Sequence, residues 1–150
     1  VLEDRKKMNI SKQHKLKVII LIALFIISFS IRAEVSIITN PEVAENSISL
    51  EDIKSIFTNK ILKWEDGKKI NIIILEDYDI KDFFLKKYIH KSQSQFRTYW
   101  LKQVFTGKAI MYKTVNSEEE LLSQISMTPG AIGFIEVKKT DERVKIIKIK

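Results

Sequence analysis

"KINIIILEDYDIKDFFLKKYIH", Lys69–His90, changes its hydrophobic period midway, and that change decides the fold. Lys69 to Leu75 is a nearly continuous, isoleucine-rich apolar run, the pattern of a strand buried on both faces. From Tyr78 onward Ile80, Phe83, Phe84 and Tyr88 recur at spacings of three and four, which places them on one face of a helix. Asp79 and Asp82 near the start of that helix, and Lys86, Lys87 and His90 near its end, complement its dipole. His90 is accordingly read as a helix-end residue. A strand running straight into a helix is the building unit of an α/β layer.

Working outward, the same alternation continues. "VSIIT" (Val35–Thr39) is a short β-branched run stopped by Asn40-Pro41. Three helix starts carry a capping-box pattern: Ser49 with Asp52, Ser92 with Gln95, and Ser117 with Glu120. "AIGFIEV" and "VKIIKIK" read as strands near the carboxyl end. Strands alternating with helices predict an α/β fold with a mostly parallel central sheet flanked by helices. A chain of 150 residues is long enough for one such core and too short for two.

The amino-terminal part reads differently. From Met8 the chain has a cationic start, an apolar run of 13 residues (Val18–Ser30) and a small residue, Ala33, before a polar stretch. This is the layout of a secretory signal peptide, and the run falls short of the roughly 18 to 20 residues that span a bilayer. The expected organisation is an upstream extension at 1–7, a cleavable signal at 8–33 and a domain at 34–150 released to the periplasm, with membrane contact only through an uncleaved signal. Residues 1–33 hold seven of the 26 basic residues and two of the 19 acidic ones, leaving 19 against 17, so the net charge falls from +7 to +2. That removes the electrostatic case for nucleic-acid binding.

"FRTYWLKQVFTGK" (Phe96–Lys108) combines aromatic and cationic residues, yet Phe96, Tyr99 and Trp100 fall on one helical stripe, with Arg97 and Lys102 off it. A base-stacking platform needs ring faces in solvent beside the charge. The stripe is therefore read as core. There is no cysteine, so neither a disulfide nor a thiolate metal site is available, and with His90 the single histidine after residue 33 no multi-histidine site can form. No nucleophile elbow or phosphate loop is present. The chain is expected to be neither an enzyme nor dependent on a cofactor.

At this point the residues resemble a known family. Ile56-Phe57, Lys60, Trp64 and Gly67; Trp100, Phe105, Gly107 and Lys108; and Gly130 to Phe134 (Gly-Ala-Ile-Gly-Phe) are similar to the substrate-binding proteins of phosphate ABC transporters, and especially to their short single-lobe relatives. The resemblance runs from about Val35 to Val137 and implies a periplasmic-binding-protein-like lobe of type II. Gly67, Gly107 and the Pro129-Gly130 turn, with Trp64 and Trp100, are read as scaffold.

In full-length members, the resemblance implies, the strand equivalent to "NIIIL" leads into an Arg and a Ser-Gly-Thr-type loop that grips phosphate between two lobes. Here that place reads "EDYDIKD" (Glu76–Asp82). Glu76, Asp77 and Asp79 repel a dianion by about 1 kcal/mol each at a semi-exposed site. Candidate ligand-binding residues at strand ends are Thr39, Asn40, Tyr78, Thr114, Asn116 and Ser117. Two readings follow: weak or partner-completed binding of phosphate or another small oxyanion, and a ligand-free interaction module for an envelope sensor, receptor or transporter.

Overall fold

A computed structural model describes residues 1–3, 15, 17, 35–136 and 141–150. The expected extension and signal segment, 1–33, therefore lie almost entirely outside the described residues. The chain divides into two units, Val1–Arg32 and Ala33–Lys150, and all that follows concerns the second.

Its elements are β1 (Val35–Thr39), β2 (Ser47–Ile48), α1 (Leu50–Phe57), β3 (Asn71–Leu75), α2 (Tyr78–Phe84) with a π-helical turn over Leu85–Ile89, α3 (Gln93–Phe105), β4 (Lys113–Val115), α4 (Glu118–Met127), β5 (Ala131–Glu136) and β6 (Lys145–Ile149). They form the expected α/β layer, with one six-stranded sheet in the order β2-β6-β1-β5-β3-β4. The sheet is mixed. β3 runs parallel to β4 and β5, and β2 parallel to β6, but β1 is antiparallel to both of its neighbours, β5 and β6. That reversal turns the carboxyl end of β1 away from the carboxyl ends of β3 and β4.

The helix starts were read correctly, and their caps differ in detail. Ser92 and Gln95 form a full reciprocal box. At α1 the Ser49 hydroxyl accepts the Asp52 N–H and donates to the Asp52 carboxylate at 2.6 Å, so the return bond goes to the side chain. At α4 Ser117 accepts the Glu120 N–H, while the Glu120 carboxylate reaches back to the N–H of Asn116. Each arrangement satisfies donors that the first helical turn leaves unpaired.

Helix α2 buries Ile80 and Phe84 as its spacing predicts, then widens into the π-helical turn, which brings Leu85, Tyr88 and Ile89 inward together. His90 ends the helix in the left-handed conformation, φ 59°. The centre of the core is aromatic: the Phe84 and Phe134 rings stack at 3.8 Å between centroids, with Phe57 edge-on to Phe84 at 4.8 Å. From α3 come Phe96 and Trp100, both buried, with the Trp100 indole N–H donating to the Phe57 carbonyl at 3.0 Å. The stripe stops before Phe105, which is 86% exposed.

Trp64 is buried and donates its indole N–H to the Gly130 carbonyl at 3.0 Å. Gly130 itself sits at φ 69°, and a Cβ there would stand 2.2 Å from the Lys69 carbonyl oxygen. Only glycine meets both demands, so the Pro129-Gly130 turn that admits β5 beside β3 is fixed by sterics.

Candidate functional site

The six residues picked from the sequence divide between opposite ends of the sheet. Thr39 pairs with Ile132, near the start of β5, and the Asn40 N–H donates to the Ala131 carbonyl at 3.0 Å. Ala131 in turn pairs with Asn71, the first residue of β3. Thr39 and Asn40 thus lie beside the amino ends of β3 and β5. Tyr78, Asn116 and Ser117 follow the carboxyl ends of β3 and β4, with Thr114 on β4 itself. Because β1 runs against β3, the six residues do not share one end of the sheet.

Asn40 is also fully engaged. It is 4% exposed; its amide donates to the carbonyls of Ile125 (3.1 Å) and Ser126 (2.9 Å), and its side-chain oxygen accepts the Glu42 N–H (3.0 Å). These bonds tie the end of β1 to the last turn of α4 and leave no amide hydrogen for a ligand. Thr39 is buried with its hydroxyl directed to the Lys145 carbonyl at 3.4 Å. Both side chains are engaged within the chain itself.

The other end holds the loop where the sequence places three carboxylates. Its first, Glu76, is clasped by Lys81, whose Nζ lies 2.8 and 2.7 Å from the two carboxylate oxygens. Lys81 is 7% exposed, an ammonium brought into the protein and neutralised there. Such a group is tolerated only with a partner. The Glu76 N–H donates to the Val115 carbonyl at 2.9 Å, fastening the β3 and β4 loops together.

Asp77 is the amino cap of α2. Its Oδ1 accepts the N–H groups of Asp79 (3.1 Å) and Ile80 (3.0 Å). A bound anion at this helix start would need those donors, and a carboxylate of the chain already takes them. Tyr78 stands 73% exposed beside it, its carbonyl accepting the Gln93 side-chain amide at 2.9 Å. Thr114, Asn116 and Ser117 are exposed, and Ser117 is occupied in capping α4. Sequence reasoning identified the acidic loop but missed Lys81, whose helical position looks solvent-facing; its spacing of five from Glu76 was the available signal.

Burial raises the Tyr112 hydroxyl above its ordinary pKa, with Glu76 adding to the rise and Arg97 opposing it. No group of three or more His, Asp or Glu among the described residues is placed to hold a metal ion, and Glu76, Asp77 and Asp79 do not form one.

No family model matches this sequence, and no curated protein does. Solved structures do match the fold. A phosphate ABC transporter substrate-binding protein with bound phosphate from Clostridium perfringens aligns with a TM-score of 0.60 at 18% identity, over 77% of this chain and 44% of that one. PstS from Borrelia burgdorferi aligns at 0.57 and 22% identity, over 77% and 47%. An ABC-type phosphate transport receptor from Vibrio cholerae aligns at 0.53 and 19% identity, over 77% and 45%. The fold is thus that of the phosphate substrate-binding proteins that the sequence resembles. The chain spans less than half the length of each of these structures.

Proposed function

We propose that this chain is a periplasmic lobe of the phosphate-binding-protein type that works through protein contacts in the cell envelope, with its oxyanion position taken by its own side chains. One observation carries this reading: Asp77 caps the N–H groups at the start of α2, and Glu76 is neutralised by Lys81. A phosphate entering there must displace one carboxylate and face the other, against opposing charge. The signal-like layout of residues 8–33 supports export to the periplasm. No helix among the described residues is long and apolar enough to cross a membrane.

Residual contact with phosphate or another small oxyanion is the second reading. It is favoured by the fold it shares with a phosphate-bound structure and by the exposed polar groups of Tyr78, Thr114 and Asn116. In this reading a partner surface completes the pocket. Titration calorimetry with inorganic phosphate tests both: the isolated protein binds no tighter than about millimolar, roughly −4 kcal/mol. Replacing Glu76→Gln with Asp77→Asn strengthens whatever binding exists, since Asn keeps the cap and the charge is removed. Micromolar phosphate binding by the unaltered protein would overturn the proposal.

A further inference from the structure

The chain leading into β3 holds two like charges against each other. Lys63 and Lys69 face one another across an isolated antiparallel bridge. The bonds flanking it run from the Trp64 N–H to the Lys68 carbonyl and from the Ile70 N–H to the Leu62 carbonyl, both at 2.9 Å. That makes Lys63 and Lys69 a non-hydrogen-bonded pair, the arrangement in which facing side chains come closest. Like charges opposed in this way are destabilising. Neither lysine makes an ion pair among the described residues.

Both line a groove of about 690 Å³ bounded by the segments 59–63, 69–73 and 107–113, together with Lys108 and Lys113, and no carboxylate lines it. Lys113 donates to the Gln124 side chain at 2.6 Å, a neutral partner. The chain beyond residue 33 has a net charge of only +2, so these four lysines are a local concentration of charge. Exposed apolar residues gather at the same place. Leu62, Ile110 and Met111 line the groove, Phe105 stands two positions before Gly107 of its wall, and Met127 directly precedes Thr128, also of its wall. These are five of the eight large apolar residues exposed among the described residues beyond 33.

We infer that this face docks on the surface of an anionic phospholipid bilayer, with Leu62, Ile110 and Met111 entering the headgroup layer and the lysines meeting lipid phosphates. Exposed apolar groups ringed by cations are what such a surface binds, since burial and charge attraction then act together. Ile110 is 83% exposed, so it stands out from the groove's rim, the form suited to a soft layer. Lysine is depleted in protein–protein interfaces, whereas at a membrane its stem lies along apolar surface while the ammonium stays among the headgroups. Lipid phosphates also relieve the repulsion between Lys63 and Lys69, which no carboxylate lining the groove does. The inference goes beyond the protein-contact reading. It adds a membrane contact made by the folded domain, where the sequence suggested one only through an uncleaved signal.

The chain has no cysteine, so one introduced cysteine can carry an environment-sensitive fluorophore at a single place. The test uses the full chain labelled at Ile110→Cys, with a control label at Ile146→Cys on β6, three strands from β3. A label at 110 reports this face even where residues 1–33 also reach the bilayer. Vesicles of phosphatidylglycerol with phosphatidylcholine should shift the label at 110 to the blue and leave that at 146 unchanged, with an affinity that falls as salt rises. Lys63→Gln combined with Lys69→Gln should weaken the response at 110 by at least about fivefold, with a melting temperature equal to or above that of the unaltered protein. The inference is overturned by no shift at 110, by equal shifts at 110 and 146, by an equal response to vesicles of phosphatidylcholine alone, or by indifference to the lysine substitutions. A shift at 110 that grows with protein concentration without vesicles would assign the face to a second copy, and one produced equally by a soluble polyglutamate peptide would assign it to an acidic protein. Either result would overturn the inference as well.

Discussion

Beyond its carboxyl end β3 runs into a loop in which Glu76 and Asp77 are held by partners from the chain itself, whereas beside its amino half the same strand borders a groove lined, among the described residues, by Lys63, Lys69, Lys108 and Lys113 and by no carboxylate. The loop is where the resemblance to phosphate-binding proteins places a ligand, and there the helix-start donors are taken by Asp77 and the Glu76 charge by Lys81. The groove has no such precedent in the motifs, yet it combines exposed apolar residues with charge of one sign. Likeness of fold and readiness to bind therefore point to different ends of one strand, as expected when function resides in sites and not in folds.

The largest expected effect comes from the residue that links the groove to the core. Trp100 lines the groove, yet it is 2% exposed, contacts Tyr112 edge-on at 5.2 Å and donates to the Phe57 carbonyl. Trp100→Ala should destabilise the domain by about 3 to 5 kcal/mol in denaturant unfolding. Arg97→Ala, exposed on the same helix, should cost far less. Equal small effects would mean that the Trp100 ring is solvated and that the groove reaches into the core.

Next is the closed end. Glu76→Gln leaves the Lys81 ammonium buried with a neutral partner, at a cost of about 1 to 3 kcal/mol. Adding Lys81→Met, which removes the charge and keeps the length, should recover most of that loss. If the double variant is as unstable as the single one, Lys81 does more than neutralise Glu76. Asp77→Ala should cost about 1 kcal/mol through loss of the α2 cap, and Asp77→Asn only a fraction of that. A larger cost for Asn than for Ala would show that charge, and not the hydrogen bonds, is what the helix start requires.

Much of this architecture was readable from local pattern. β1, β3, the aromatic stripe of α3 and all three Ser caps follow from spacing and side-chain chemistry within a few residues. The direction of β1 was not readable, because it depends on pairing with β5, a segment nearly one hundred positions away whose register no local signal records. That one reversal separated Thr39 and Asn40 from the other chosen residues. Nor could the strand pattern of "KINIIIL" show that β4 stops short, leaving Ile72 half-buried where burial on both faces was expected. The groove lysines come from three separate segments, and in sequence each looks like an ordinary solvated charge. Lys81 looked the same and is buried.

The smallest effect calibrates the other two regions, since it concerns an ion-pair network in solvent. Arg143 bonds both Glu119, at 2.6 and 3.0 Å, and Asp141, at 2.8 Å from its Nη2. The guanidinium bonds hold both carboxyls below their ordinary values of 4.5 and 3.8. A carboxyl that is more acidic when folded adds stability that is complete above its unfolded pKa and is lost as pH falls through the folded one. Arg143→Ala should therefore lower the melting temperature slightly at neutral pH and not at all once both carboxyls are protonated in either state. Arg143 and Glu119 are exposed and Asp141 is only half-buried, and such pairs are screened, so the difference should shrink further in high salt. The Glu76→Gln loss should persist in the same salt, because Lys81 is buried. If salt abolishes both losses equally, the Glu76–Lys81 pair is as solvated as the surface network, and the closed end of β3 is open after all.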